Sequence, residues 1–92
     1  EPNVVRGCKI MYYVYVLKNT RNKLYVGSTN DLKRRLKEHL AGQSKTTRQL
    51  KTTKLIFYES FYAKKDAIRR EKYFKTTKGK SSLKQIIRYS IV

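Results

Sequence analysis

From position 12 the chain turns aromatic and β-branched: residues 12–18 read YYVYVLK, a composition suited to a pleated, half-buried strand. Alternation places Tyr13, Tyr15 and Leu17 on one face of that strand. Asn19, Thr20, Arg21 and Asn22 supply turn chemistry. Residues 23–27 (KLYVG) then read as a second strand closed by a glycine, so the two form a hairpin. Its register depends on the loop. A five-residue loop, 18–22, sets Tyr15 opposite Tyr25, whereas a four-residue loop sets it opposite Val26 and turns the phenols apart.

The apolar period then changes from two to nearly four. Ser28, Thr29 and Asn30 offer helix caps, Asp31 suits a first turn, and Leu32, Leu36 and Leu40 form one stripe. Gly42 is placed to stop the helix, which is expected over 31–41. Residues 42–53 are polar and basic and read as a loop. Residues 55–61 (LIFYESF) make a third strand, and 63–75 a second helix that 76–80 breaks. Ser81 or Ser82 caps a short last helix running to about 88. The order β-β-α-β-α-α predicts an α+β fold, a small three-stranded antiparallel sheet flanked by helices. Residues 1–10 show no period and are expected to be an extension, leaving 11–92 as a single functional domain.

Length and charge narrow what such a fold does. Ninety-two residues suffice for one domain with a compact core and little room for a large internal cofactor pocket. Twenty-three Lys and Arg face six Asp and Glu, a net charge of +17. Self-repulsion of that size points to a polyanionic partner, and nucleic acid answers it best, through counterion release. A membrane surface would call for a basic amphipathic helix with a strong apolar face or a lipidation signal, and neither is present. No apolar run approaches the roughly 20 residues of a membrane span, nor is there a secretory leader pattern. Cys8 is the lone cysteine, which excludes an internal disulfide framework and a cysteine-based zinc site. The expected location is intracellular and cytoplasmic, beside the nucleoid in a bacterium.

Two helical wheels locate candidate chemistry. On the first helix Arg35 and His39, four apart, lie together at one edge of the leucine arc, while Arg34 faces solvent. A guanidinium at the seam between helix and sheet suits a phosphate, which it grips with paired hydrogen bonds. An ordinary interfacial arginine beside a surface histidine would leave the same pattern. On the second helix Ala63, Ala67, Ile68 and Phe74 define the inward arc, and Glu71 falls inside it. A carboxylate there needs a partner. That partner is either a Mg²⁺ or Mn²⁺ ion, as in phosphate chemistry, or a salt bridge to Arg35 or a nearby lysine.

Taken together, Tyr13-Val14-Tyr15, Tyr25-Val26-Gly27, Arg35, His39 and Glu71 resemble the GIY-YIG nuclease domain in order and spacing, over about residues 11–80. The short chain is similar to small stand-alone bacterial members related to the nuclease domain of the UvrC repair protein. The resemblance implies a metal-dependent DNA endonuclease of repair or recombination type. Glu71 would hold one Mg²⁺ or Mn²⁺, Arg35 would offset phosphoryl charge, and Tyr15 would be the general base. Tyr25 would position water or phosphate, and His39 would relay a proton or fix Arg35. Tyr13 and Val14 depart from the first motif. Ser28 stands where the repair nucleases carry a lysine, and no asparagine follows Glu71.

DNA is the expected partner, with an accessory protein as a second candidate. Arg34, the basic loop (Lys45, Arg48, Lys51 and Lys54) and Lys64, Lys65, Lys78 and Lys80 are expected to grip its backbone, contacts that carry little sequence information. Two other classes compete: a non-catalytic nucleic-acid-binding module with the same fold, and a ribosome-associated RNA-binding protein. The second accounts for the charge but not for a carboxylate on a core-facing arc.

Overall fold

The computed structural model describes residues 11–40 and 53–91. Three strands, β1 (Tyr12–Asn19), β2 (Leu24–Thr29) and β3 (Thr53–Phe61), and three helices, α1 (Leu32–Leu40), α2 (Lys64–Phe74) and α3 (Thr77–Ile86), follow the expected order. The sheet is antiparallel throughout, in spatial order β2-β1-β3. β1 is therefore the central strand, and its residues Val14, Tyr15, Val16 and Leu17 are all buried.

The hairpin takes neither anticipated register. Tyr15 lies opposite Gly27, and Tyr25 opposite Leu17. Tyr15 and Tyr25 still share a face, two residues apart along the ladder. The turn explains the shift. Asn22 takes a left-handed φ of 63°, and the Asn22 N–H donates to the Asn19 carbonyl while the Asn19 N–H donates to that of Lys23. The Asn19 side chain, buried, accepts from the N–H groups of Arg21 and Lys23 at 2.9 and 2.8 Å. An asparagine tolerates both jobs, the αL backbone and the side-chain turn bond.

On the other side of β1 the ladder carries a bulge, with Val16 opposite Phe57 and Leu17 opposite Leu55. The extra residue, Ile56, joins Phe57 against the core. That core is Val14, Val16, Ala67, Phe74, Leu83 and Ile87, so α2 and α3 cover one face of the sheet. Glu59 and Arg70 add a two-pronged ion pair at 2.9 and 3.3 Å that ties β3 to α2, with the guanidinium lying 4.4 Å over the Phe74 ring.

Element ends differ from expectation for local reasons. The N-cap of α1 is Asp31, whose Oδ1 accepts from the Arg34 N–H at 3.1 Å, while Thr29 caps the Asp31 N–H in turn. β3 begins at Thr53, so Lys54 is an exposed strand residue and not part of a loop. Ala63 is the extended, exposed residue before α2 and does not belong to its inward arc. The last helix starts at Thr77, with Thr76 accepting from the Gly79 N–H at 3.0 Å. Gly79 is thus inside a helix, not a breaker. An added Cβ there would overlap the Tyr73 carbonyl, so glycine is what lets α3 fold back tightly onto the end of α2. Gly79→Ala is expected to destabilise the protein by about 3 kcal/mol, read as a lowered urea midpoint; an unchanged midpoint would refute this contact.

Candidate active site

β2 is an edge strand, and a cleft of about 950 Å³ wraps around it. Tyr15, Tyr25, Arg35, His39 and Glu71 all line this cleft. They arrive from four elements, which is why no local pattern joins them.

Tyr15 reaches across β1 toward the edge because its partner in the ladder has no side chain. A Cβ on Gly27 would lie 2.5 Å from the Tyr15 Oη and 2.7 Å from Cζ. The glycine of the second motif is therefore a seat for the phenol. Gly27→Ala is expected to displace Tyr15, cost about 1–3 kcal/mol of stability and disrupt the hydrogen bonds described next. Loss of the Tyr15–His39 contact in NMR spectra would reveal it, and an intact contact would contradict it.

The phenol oxygen is the hub of a three-residue chain. The Arg35 Nε–H donates to it at 3.2 Å, and His39 Nε2 lies 3.1 Å away with both groups buried. Burial, the largest influence, lowers the His39 pKa from the ordinary 6.5; the Arg35 charge lowers it further and Glu38 opposes both. With the imidazole neutral and its Nε2 unprotonated, the Tyr15 hydroxyl can donate to Nε2 while its oxygen accepts from Arg35. Arg35 is held from its other end by Glu38, whose carboxylate takes Nη1 at 2.9 Å. The bonds to Tyr15 first, and then to Glu38, raise the Arg35 pKa still higher. A guanidinium has five N–H groups, and among the described residues these two partners use one N–H on each of two nitrogens.

Glu71 enters from the opposite side of β2, half-buried on α2. The Ser28 hydroxyl donates to its Oε1 at 2.6 Å, and Lys75 Nζ donates to Oε2 at 2.8 Å. Burial pushes the carboxyl up, yet the hydrogen bonds from Lys75 and Ser28 and the charges of Lys75 and Lys72 outweigh it, so the Glu71 pKa is lowered. The carboxylate is ionised at neutral pH, a hard oxygen donor facing the cleft. Of the partners the sequence offered (a metal, Arg35 or a nearby lysine) a lysine is seen, Lys75 one turn along the helix, while Arg35 pairs with Glu38. More than half of its side chain is exposed, so it can swing away. Among the described residues no three acidic, histidine or cysteine side chains converge. The residues thus fit a hard cation held by one carboxylate, with water and phosphate oxygens supplying the other positions.

Of the expected backbone-gripping residues, Lys80 lines the cleft. Arg34 is exposed on α1 and shared between Asp31 and Glu38. Lys64 and Lys65 are exposed on the first turn of α2, and Lys78 on α3. Lys45, Arg48 and Lys51 lie outside the described residues, as do 1–10. Sequence reasoning missed Ser28 as a partner of Glu71, Glu38 three residues beyond Arg35, and Lys75 and Lys84 on the cleft wall. The i, i+3 and i, i+4 spacings of Glu38 and Lys75 were the available signals.

The family model for the GIY-YIG catalytic domain matches residues 11–85. The chain belongs to the GIY-YIG family. Among similar members, a UPF0213 protein of Bacillus pumilus (strain SAFR-032) is 42% identical over 74 residues, covering 78% of this chain and 76% of that one. UPF0213 protein SAG0778 of Streptococcus agalactiae is 39% identical over 79 residues, covering 85% and 90%. The solution NMR structure of UPF0213 protein BH0048 from Bacillus halodurans superposes with a TM-score of 0.53 at 32% identity, over 83% of this chain and 84% of that one. This is a GIY-YIG module of the small UPF0213 type, and its fold is a nuclease fold. No helix among the described residues is long and apolar enough to cross a membrane.

Proposed function

We propose that this GIY-YIG protein is a metal-dependent DNA endonuclease that hydrolyses phosphodiester bonds, directed by DNA structure or by a partner protein in repair or recombination. The observation that carries the reading is the meeting, in one cleft, of the Arg35–Tyr15–His39 chain with an ionised Glu71.

The residues divide the reaction between them. Arg35 presents its remaining N–H groups to the phosphoryl oxygens as charge grows there. Tyr15 takes a proton from the attacking water while its own proton passes to His39 Nε2. The new P–O bond forms as the bond to the leaving oxygen breaks, and that oxygen is protonated from solvent. Tyr25 borders the same space and would orient the water or the phosphate. Mg²⁺ or Mn²⁺ held by Glu71 would polarise the phosphate and steady the leaving oxygen. With a net charge of +17, the surrounding lysines hold the DNA backbone without reading bases, so specificity comes from shape or from a partner.

Protonation of His39 blocks the relay. Because its pKa is lowered below 6.5, cleavage should persist at pH 6.5 and fall as the pH drops further. The same shift affects folding. Below pH 6.5 the unfolded chain binds this proton and the native state does not, so stability declines as the pH falls to the native pKa and is full above 6.5. A rate profile with its acid limb above pH 6.5 would contradict the assignment.

The substrate class is tested by incubating labelled duplex, single-stranded, nicked and branched DNA with the protein and Mg²⁺ or Mn²⁺. Metal-dependent cutting of at least one is expected, and the preferred substrate names the role. The competing reading, a binding module without turnover, draws on Ser28 and Lys75 occupying both oxygens of Glu71; binding of every substrate with no cutting would favour it.

A further inference from the structure

The cleft continues past the catalytic cluster. It follows β2 from Ser28 through Val26 and Leu24 to Asn22, about 13 Å from Ser28 to Leu24 at the rise of a strand. Over that stretch its lining changes character. Leu24, Val26 and Ile91, all part-exposed, lie over the buried Phe74 and Leu83, an apolar floor beside a phosphate-handling site. The facing wall is cationic, with Lys80 and Lys84 on α3 next to Lys75 on α2. Lys80 and Lys84 are one turn apart, roughly 6 Å along the helix, and both are exposed.

A simple anion would satisfy the lysines and leave the floor against water. A lipid or an apolar peptide would do the reverse. A nucleotide within a strand does both, since it carries a flat base with an apolar face between two phosphates. We propose that this stretch is a nucleotide subsite. The base and sugar next to the scissile phosphate, on the side leading from Ser28 toward Asn22, rest on Leu24, Val26 and Ile91, and their flanking phosphates meet Lys80 and Lys84. The inference rests on the nuclease reading for the position of the scissile phosphate. The subsite contacts a base through its face, so it tolerates sequence while fixing which phosphate reaches Arg35 and Glu71.

The test uses the metal-free protein in chelator, where binding is read without cleavage. The probes are a thymidine dinucleotide phosphorylated at both ends, the same molecule with one base removed, thymidine monophosphate and inorganic phosphate. Binding is followed through NMR shifts of the Leu24, Val26 and Ile91 methyl groups and of the Arg35 side chain. The dinucleotide is expected to move both sets, and the abasic probe to bind about threefold to tenfold more weakly, since the apolar area under one base is no longer covered. Ile91→Ala should weaken the dinucleotide and leave inorganic phosphate unaffected. Lys80→Ala with Lys84→Ala should weaken the dinucleotide and its abasic form alike.

Equal affinity of the dinucleotide and its abasic form, or shifts at Arg35 with the methyl groups still, would overturn the subsite. Thymidine monophosphate binding as tightly as the dinucleotide would make this a free-nucleotide site and would also overturn it. A failed cleavage assay alongside base-dependent binding would count against the nuclease reading alone.

Discussion

Glu71→Ala is expected to lower DNA cleavage by about 10³-fold or more, since a bound metal contributes several kcal/mol of charge stabilisation to such a transition state. The variant should fold. Glu71 is only part-buried, and its partners Ser28 and Lys75 both regain water when the carboxylate goes. DNA affinity should hold or rise, because a chain of charge +17 loses one of its few acids. Those three readouts together separate a metal-ligand role from a structural one. Single-turnover cleavage, circular dichroism and filter binding supply them. A variant that cuts as fast as the parent would show that Glu71 is a surface ion-pair residue.

Tyr15→Phe is expected to slow cleavage by about 10²- to 10⁴-fold, the range for loss of a positioned acid or base. The ring stays, so packing over Gly27 and against the His39 ring is kept. Only the hydroxyl goes, and with it the acceptor of Arg35 and the hydrogen-bond partner of His39 Nε2. Both partners are then left with one bond fewer, and the guanidinium keeps Glu38. The effect should fall on kcat with little change in DNA affinity. The two affected groups report independently. The His39 pKa should move in an NMR titration even if no substrate is present. Full activity in Tyr15→Phe would remove the tyrosine from the role of base and leave His39 or a metal-bound water to take it.

How much of this was legible in the sequence depends on whether neighbours in space were neighbours along the chain. The four-residue spacing on α1 put Arg35 and His39 together, and in the structure both reach Tyr15 of β1. The inward arc of α2 put Glu71 where it faces a cleft. The hairpin register was not legible, because it rests on the left-handed backbone of Asn22 and the two bonds made by the Asn19 side chain. Gly79 looked like a breaker because the backbone of Tyr73 that it packs against belongs to another helix. Ser28 and Glu71 are 43 positions apart, and nothing in either local segment signals that a hydroxyl will hold the carboxylate. The Tyr15 seat over Gly27 needed the correct register first. The pattern of the whole motif named five residues that the structure brings to one cleft, before any of these contacts could be derived.

The central claim is that the Tyr15 chain and Glu71 act on the same phosphate. The most direct measurement is single-turnover cleavage in Mn²⁺ at saturating protein by four proteins: the parent, Tyr15→Phe, Glu71→Ala and the double variant. Groups that work as a unit are far from additive when removed. The parent should therefore cut, and the double variant should be no slower than the poorer single variant. Equal cutting by all four, or two losses that multiply in the double variant, would contradict the account.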